Sequence, residues 1–477
     1  MGTHEAGALH TPGYGSIATV PSWLRPPGDI NELLAPLWAY GVHRADDGAL
    51  RVAGVDVRDL AAEFGTPVYV LAEVDFRRRA ADFRDAFGHA FAGSGSAAAD
   101  VYYAAKAFLC TEVARWIAAD GLSIDVCSGG ELAVALRGGI DPERIALHGN
   151  NKSDAEIARA LAAGVGRIVV DSVEEIDRIA DAAGRLRVVA PVMIRVTVGV
   201  EAHTHEYIAT AHEDQKFGLS LSGGLAAAGV RKALARKEID LRGLHSHIGS
   251  QIFDTGGFEV SARRLIRLQA EMAREHGVEF PEVGLGGGFG IAYTSEHDPL
   301  EPKVLAEQLA EIVTRECAAA GLAVPRVSVE PGRAIAGPSA FTLYGVGSVK
   351  EVLLDHQFSR LYVAVDGGMS DNIRTALYGA DYSCAVASRA SQAPPRLARV
   401  VGKHCESGDV IVQDEFLPGD IARGDLVAVP GTGAYCRSMA SQYNHVPRPP
   451  VVAVRDGVAR VIVRRETEDD LLALDAG

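Results

Sequence analysis

Cysteine is scarce in this chain: six in 477 residues, at positions 110, 127, 317, 384, 405 and 436, with no C-x-x-C pair. That sparsity argues against a disulfide framework and a zinc site, so we expect reduced thiols in a cytoplasmic protein and no metal. Positive charge is also short. Lys and Arg number 47 against 62 Asp and Glu, a formal net charge of −15. An acidic chain is a poor partner for nucleic acid or for an anionic membrane, and we expect neither. A few arginines in a pocket still suffice to hold an anionic small molecule. No apolar run approaches the roughly 20 residues of a membrane span. Met1-Gly2-Thr3-His4-Glu5-Ala6 carries no basic or apolar leader pattern, and Ala6 spoils the myristoylation pattern. What is present is an ordinary globular composition, 48% hydrophobic and 23% charged, long enough for a large core.

Residues 1–30 are rich in Gly, Pro, Thr and Ser and read as a mobile tail. Residues 51–55 and 66–71 read as strands. From Glu73, short β-branched runs alternate with Ala/Arg/Glu-rich helical stretches, the pattern of βα units and a parallel sheet. Eight runs follow: 101–106, 122–126, 144–148, 167–171, 191–196, 241–247, 282–286 and 327–330. Eight βα units fit a closed (β/α)8 TIM-type barrel over residues 73–338, with an open doubly wound sheet as the alternative. Beyond that, residues 341–354, 360–366, 396–402, 426–430, 451–455 and 458–464 are strand-like and turn-bounded. The expected fold is therefore α/β, with a mostly β C-terminal domain over 339–477. Strands within 31–72 should complete that domain.

Chemistry in such a barrel gathers at the carboxyl ends of the strands. Those ends are polar here in almost every unit: Lys106, Asp125, His148, Asp171, Arg195, His245 with His247, Gly286-Gly287-Gly288, and Glu330 with Arg333. A lysine ending an apolar strand either snorkels to the rim or is desolvated into a nucleophilic amine. The three glycines either make a tight turn or let backbone N–H groups close around a phosphate. They are not G-x-G-x-x-G, because Phe289 stands three after Gly286, so a dinucleotide is not expected. His247 stacks on a flat ring or is a core histidine. A buried Glu330 needs a partner, either Arg333 or a protonated pyridine nitrogen. Taken together, lysine, glycines, a flat-ring stacker and a carboxylate describe a site for pyridoxal 5'-phosphate. His203, His205 and His212 fall in a polar segment, 201–220, that reads as a loop over the site; they offer no metal-ligand spacing.

The combination of motifs resembles the diaminopimelate decarboxylase family, within the alanine-racemase-fold (type III) pyridoxal-phosphate enzymes, from about residue 30 onward. The motifs are Tyr103-Ala104-Ala105-Lys106-Ala107, Cys127-Ser128-Gly129-Gly130-Glu131-Leu132, His148-Gly149-Asn150-Asn151-Lys152, His245-Ser246-His247-Ile248-Gly249-Ser250-Gln251, Gly286 to Gly290, Glu330-Pro331-Gly332-Arg333, Cys405-Glu406-Ser407-Gly408-Asp409 and Gly433-Ala434-Tyr435. The tail from Arg464 to Leu472 also matches.

The resemblance implies that Lys106 binds the cofactor covalently and that His247 stacks on its ring. Ser250 with Gly286, Gly287 and Gly288 would hold the phosphate, Glu330 the pyridine nitrogen, and Tyr435 would reach the cofactor. Asp125 and Arg195 would be supporting groups. Arg333, Arg374, Tyr378, Glu406 and Tyr435 would bind substrate. Cys405 would supply a proton, entering with Glu406 from a second subunit of a homodimer with shared sites. The implied reaction is decarboxylation of meso-diaminopimelate to L-lysine, the last step of lysine biosynthesis. Arg374 and Glu406 together offer the two charges that this substrate's far end requires. Ornithine or arginine decarboxylation, amino-acid racemisation, and an idle carrier of the cofactor are the alternatives. The β domain with Cys405 and Tyr435 speaks against the carrier, and CO2 release against loss of optical rotation separates the decarboxylases from the racemase.

Overall fold

A computed structural model describes residues 20–93, 99–200, 215–353 and 359–477. The proposed tail up to residue 19 and residues 201–214 of the proposed loop, with its three histidines, lie outside the described residues. The chain divides into two compact units. One comprises residues 77–290 and 299–335; the other comprises the chain up to Phe76 with residues 291–298 and 336–477.

The first unit is a barrel of eight parallel strands: β1 Asp100–Ala104, β2 Ser123–Val126, β3 Ile145–Leu147, β4 Arg167–Val170, β5 Ala190–Thr197, β6 Ile239–His245, β7 Glu282–Gly284 and β8 Arg326–Val329. Each pairs with the next, and β8 returns to β1 through Ser328 opposite Asp100 and Val329 opposite Val101. That last pairing rules out the open sheet. Most barrel strands are buried along nearly their whole length, as strands covered on both faces must be. β6 admits a glycine because β7 approaches closely: a Cβ on Gly243 would lie 1.9 Å from the Glu282 carbonyl oxygen.

The turns leaving three of these strands are fixed locally by serine. Ser128, Ser153 and Ser172 each accept a hydrogen bond from the backbone N–H three residues on, capping the helices Gly129–Arg137, Asp154–Ala163 and Val173–Leu186. At Ser153 the cap is reciprocal, since Glu156 returns a bond to the Ser153 N–H. Caps of this kind contribute about 1 kcal/mol each and set where the loops at the carboxyl rim end and the helices begin.

In the second unit, strand Val68–Ala72 lies between Ala340–Leu353, antiparallel, and Val451–Arg455, parallel. Residues from the two ends of the chain thus share one sheet. Ala340–Leu353 is long enough to serve two neighbours. Its first half also pairs with Leu426–Pro430, and its second half, past an irregularity between Val346 and Val349, pairs with Ser359–Val365. Pro395–Val401 and Val410–Pro418 extend that side.

Two departures from the sequence pattern have physical causes. Residues 51–55 are not one strand. Ala53 and Gly54 both take positive φ, 46° and 85°, and turn Leu50–Val52 back onto Val55–Asp56. With Val42–Arg44 these form a separate three-stranded sheet, joined to the larger one by a core that includes Leu50, Val52, Val68, Val70 and Phe341. The pattern also gives no strand at Val410–Pro418, because Gln413-Asp414-Glu415 interrupts the apolar run. Asp414 there meets Arg360 at 2.5 Å, which lets a carboxylate sit half-buried within a sheet.

Candidate active site

The carboxyl rim of the barrel brings together most of the residues singled out from the sequence. Lys106 lies two residues past β1 and is exposed, while Ala104, Ala105 and Ala107 around it are buried. The Tyr103 hydroxyl donates to the Phe108 carbonyl at 2.6 Å and ties that turn. The amine thus sits at the end of an apolar strand. Lys152, the other lysine of these motifs, is a structural group. It is 2% exposed, and its Nζ donates to the Gly149 and Val169 carbonyls and to Glu175 at 2.7, 2.6 and 3.0 Å. All three of its hydrogens are engaged.

Two buried carboxyl groups sit on β2 and just past β8, shifted in opposite directions. Burial, then the nearby Glu330 carboxylate, holds Asp125 well above the usual carboxylate range, against the pull of Lys106. Burial acts upward on Glu330 as well, but His245 and then His148 hold it well below that range. His245 Nε2 lies 2.8 Å from Glu330 Oε1.

The glycines after β7 are required by close approach. Gly286 and Gly288 have φ of +70° and +103°, and a Cβ on Gly287 would lie 2.1 Å from the Glu330 carbonyl oxygen. The Gly287 N–H donates to His247 Nδ1 at 3.1 Å, which places the ring's hydrogen on Nε2 and fixes its orientation. Burial, then Lys106, holds His247 well below the ordinary imidazole range. Arg333 donates to Ser250 Oγ at 2.8 Å, so a guanidinium and a hydroxyl meet at one point of the rim. Arg195, at the end of β5, is buried with its guanidinium 4.4 Å over the Phe217 ring.

The second unit holds another group of the singled-out residues. Arg374 opens the short helix Arg374–Tyr378 and is 3% exposed. Its guanidinium lies 4.6 Å over the Tyr293 ring and donates to the Tyr382 hydroxyl at 2.5 Å. The two tyrosine rings meet edge to face, 5.0 Å apart. Asn372 Oδ1 accepts from the Arg374 N–H and from the Cys436 thiol. No carboxylate among the described residues pairs with Arg374. Tyr378 is half-buried at the helix end. Tyr435 is half-buried with φ of +63°, an unusual backbone for a bulky side chain and a mark of local constraint.

Cys405 and Glu406 lie in the loop between Pro395–Val401 and Val410–Pro418, and both are exposed. The loop beneath them is rigidly held. Asp409 accepts from the Met369 N–H at 2.6 Å and from the His404 N–H at 2.7 Å, and a Cβ on Gly402 would strike its carboxylate. His404 reaches Ser370 Oγ at 2.8 Å, and Asn444 Oδ1 accepts from the Cys405 N–H.

Four residues of these clusters escaped the sequence reading: Tyr293, Asn372, Tyr382 and Cys436. His148 and His245 are legible as polar strand ends at the rim, but without a role; period-two alternation puts His245 on one face with His247. Tyr293 and Tyr382 are 89 positions apart in sequence, and nothing local couples them.

The chain is similar to known proteins over most or all of its length. Residues 74–337 fit the family model described as pyridoxal-dependent decarboxylase, pyridoxal binding domain. The diaminopimelate decarboxylase of Mycobacterium leprae (strain TN) is 53% identical, over all of both chains. That of Mycobacterium tuberculosis (strain ATCC 25618 / H37Rv) is 56% identical, over 94% of this chain and all of its own. The crystal structure of diaminopimelate decarboxylase from M. jannaschii in complex with L-lysine superposes with a TM-score of 0.83 at 31% identity. It covers 92% of this chain and 98% of the other.

Proposed function

The chain belongs to the diaminopimelate decarboxylase family of pyridoxal-dependent enzymes, and we propose how its residues remove CO2 from diaminopimelate to leave lysine. The observation that carries the substrate reading is Arg374. A buried guanidinium with no carboxylate partner among the described residues is costly unless a ligand supplies one. Ornithine and lysine have only an ammonium at their far end, whereas diaminopimelate adds a carboxylate, which a planar guanidinium suits. Family membership supports this reading over ornithine or arginine decarboxylation and over racemisation.

The rim fits pyridoxal 5'-phosphate on the chemistry of its donors. It has an amine at a strand end, an ionised buried carboxylate, an oriented imidazole and a hydroxyl beside a guanidinium. When bound, the cofactor supplies the electron sink for the bond that breaks between Cα and the carboxyl group. We assign Lys106 to its covalent attachment and Glu330 to its ring nitrogen. His247 takes the ring face, and Asp125 and Arg195 are supporting groups. Ser250, Gly286, Gly287 and Gly288 form the phosphate turn, with the Gly287 N–H directed to His247. Tyr435 completes the cofactor set. Arg333, Arg374, Tyr378 and Glu406 orient the substrate, and Cys405 holds the proton that Cα receives.

Cys405 and Glu406 are exposed on a loop that Asp409 and His404 hold rigid. This supports a homodimer in which each chain lends that loop to its partner's barrel, giving two composite sites. Six free thiols suit a reducing compartment, which supports a cytoplasmic enzyme. Among the described residues, no helix is long and apolar enough to cross a membrane. The direct test is product analysis with meso-diaminopimelate and added pyridoxal phosphate, with ornithine, arginine and lysine as controls. Lysine and CO2 from diaminopimelate alone are expected; equal turnover of ornithine sinks the carboxylate-clamp reading.

A further inference from the structure

Two histidines that take no part in the assignments above converge on one oxygen of Glu330. His245, the last residue of β6, brings Nε2 to 2.8 Å from Oε1, and His148, just past β3, brings Nε2 to 3.4 Å from the same atom. Their rings meet edge to face with centroids 5.0 Å apart. We infer that His148 and His245 are positioning residues that hold Glu330 as an oriented carboxylate and leave its negative charge for the ring nitrogen of pyridoxal phosphate. This rests on Glu330 being the partner of that nitrogen.

The argument is one of donors against cations. At 2.8 Å from a carboxylate oxygen, His245 Nε2 carries the hydrogen, and its Nδ1 is buried with no hydrogen-bond partner. A proton on Nδ1 would be an orphaned buried donor, so the neutral tautomer is the cheaper one. Burial also holds His148 well below the ordinary imidazole range, against the pull of Glu330. Two neutral rings therefore stabilise the carboxylate as dipoles without cancelling its charge, which an arginine in their place would do. The other ionisable groups that act on Glu330 do not cancel it either. His247 is held neutral in direction by burial, and Asp125 is held toward its protonated form. Arg195 has Asp171 as its first electrostatic partner, ahead of Glu330, and Lys106 acts on Asp125 and His247. The charge that remains is one carboxylate in a dry site, where a protonated ring nitrogen gains most.

The test uses the full chain, stripped of cofactor and reconstituted with pyridoxal phosphate. It compares His245→Leu, His245→Gln, His148→Leu and Glu330→Gln. The readouts are cofactor affinity, the absorbance of bound cofactor as pH is lowered, and kcat separately from KM. In His245→Leu the acid change in absorbance should move up by about one to two pH units, the worth of a hydrogen bond to a charged group. Its kcat should fall about tenfold per unit at acid pH, with KM changed less than about twofold. His245→Gln keeps an N–H donor and should recover most of both. Should His245→Leu fail to fold, His148→Leu is read in the same way. If Glu330→Gln is severely impaired while every histidine variant titrates as wild type, the inference is overturned and the role of Glu330 stands. If Glu330→Gln itself matches wild type in absorbance and kcat, the role of Glu330 falls, and the inference with it. Zn2+ bound to the holoenzyme and lost in His245→Gln would make the histidines ligands, and would overturn the inference as well.

Discussion

At the barrel rim the reactive groups answer one another, and in the β-rich unit they do not. Glu330 has two histidines, Ser250 has Arg333, and His247 has the Gly287 N–H. In the β-rich unit Arg374 is buried without a carboxylate among the described residues, and Cys405 and Glu406 point to solvent from a loop that is itself tightly held. The difference teaches a division of labour. On the roles proposed above, the barrel carries all of the cofactor set except Tyr435. On the same proposed roles, the other unit carries groups whose partners arrive later, a substrate carboxylate for Arg374 and a second chain for Cys405 and Glu406. Losses in the barrel should therefore remove cofactor chemistry altogether, and losses at Arg374, Cys405 and Glu406 should spare cofactor binding.

Lys106→Ala should have the largest effect, reducing turnover to below about a thousandth, as removal of a covalent group does. Borohydride reduction of the wild-type holoenzyme followed by peptide mapping should fix the cofactor on Lys106. A label on Lys152 or Lys216 instead would break the comparison, because Lys152 is one of the groups already fully partnered. Arg374→Ala comes next. Its kcat/KM on diaminopimelate should fall by about 2–5 kcal/mol in transition-state terms, with cofactor affinity unchanged. A variant with wild-type kcat/KM would mean that the guanidinium is a structural buttress for Tyr293 and Tyr382.

The lending of Cys405 to a second chain is tested by mixing two inactive proteins, Lys106→Ala and Cys405→Ala. With random reassortment, half the dimers are mixed and each regains one intact site, so activity should return to roughly a quarter of wild type. If subunit exchange is verified and the mixture stays inactive, each chain uses its own loop. Should Cys405→Ala alone prove nearly active, Glu406→Ala takes its place in the mixture.

The barrel was legible because its evidence is local. A strand ending in a lone polar residue can be read in six positions, and eight such runs at βα spacing fit a barrel. The closing pairing of β8 with β1 decides against the open sheet that the count alone allows. What escaped was long-range. His148 and His245 look like ordinary motif residues until the barrel carries their rings to one oxygen of Glu330, 182 and 85 positions away in the chain. Tyr293 and Tyr382 flank Arg374 from separate loops, and the strand at Val410–Pro418 was hidden by an Asp414 whose partner, Arg360, lies 54 residues earlier. The sequence shows which residue types are present; a buried charge's partner is chosen by the fold.

The smallest expected effect sharpens the comparison through two buried carboxyl groups shifted in opposite directions. Glu330 is held ionised by its histidines, whereas burial pushes Asp371 in the β-rich unit up to about 7 despite bonds from the Tyr344 hydroxyl and the Gly368 N–H. The unfolded chain would titrate Asp371 near 3.8. Between those values the folded protein binds the extra proton, so folding is favoured at the acid end and the advantage is lost as pH rises toward 7. Above that, the carboxylate is ionised in both states and its contribution is flat. Asp371→Asn cannot ionise. Its melting temperature should therefore gain on wild type as pH is raised from 5 to 7.5, by about 2–4 °C for each kcal/mol recovered. The gain should cease above pH 8, and cofactor affinity should not change. A melting gap that stays constant with pH would mean that Asp371 is ionised throughout, and that the β-rich unit stabilises a buried carboxylate as well as the barrel does.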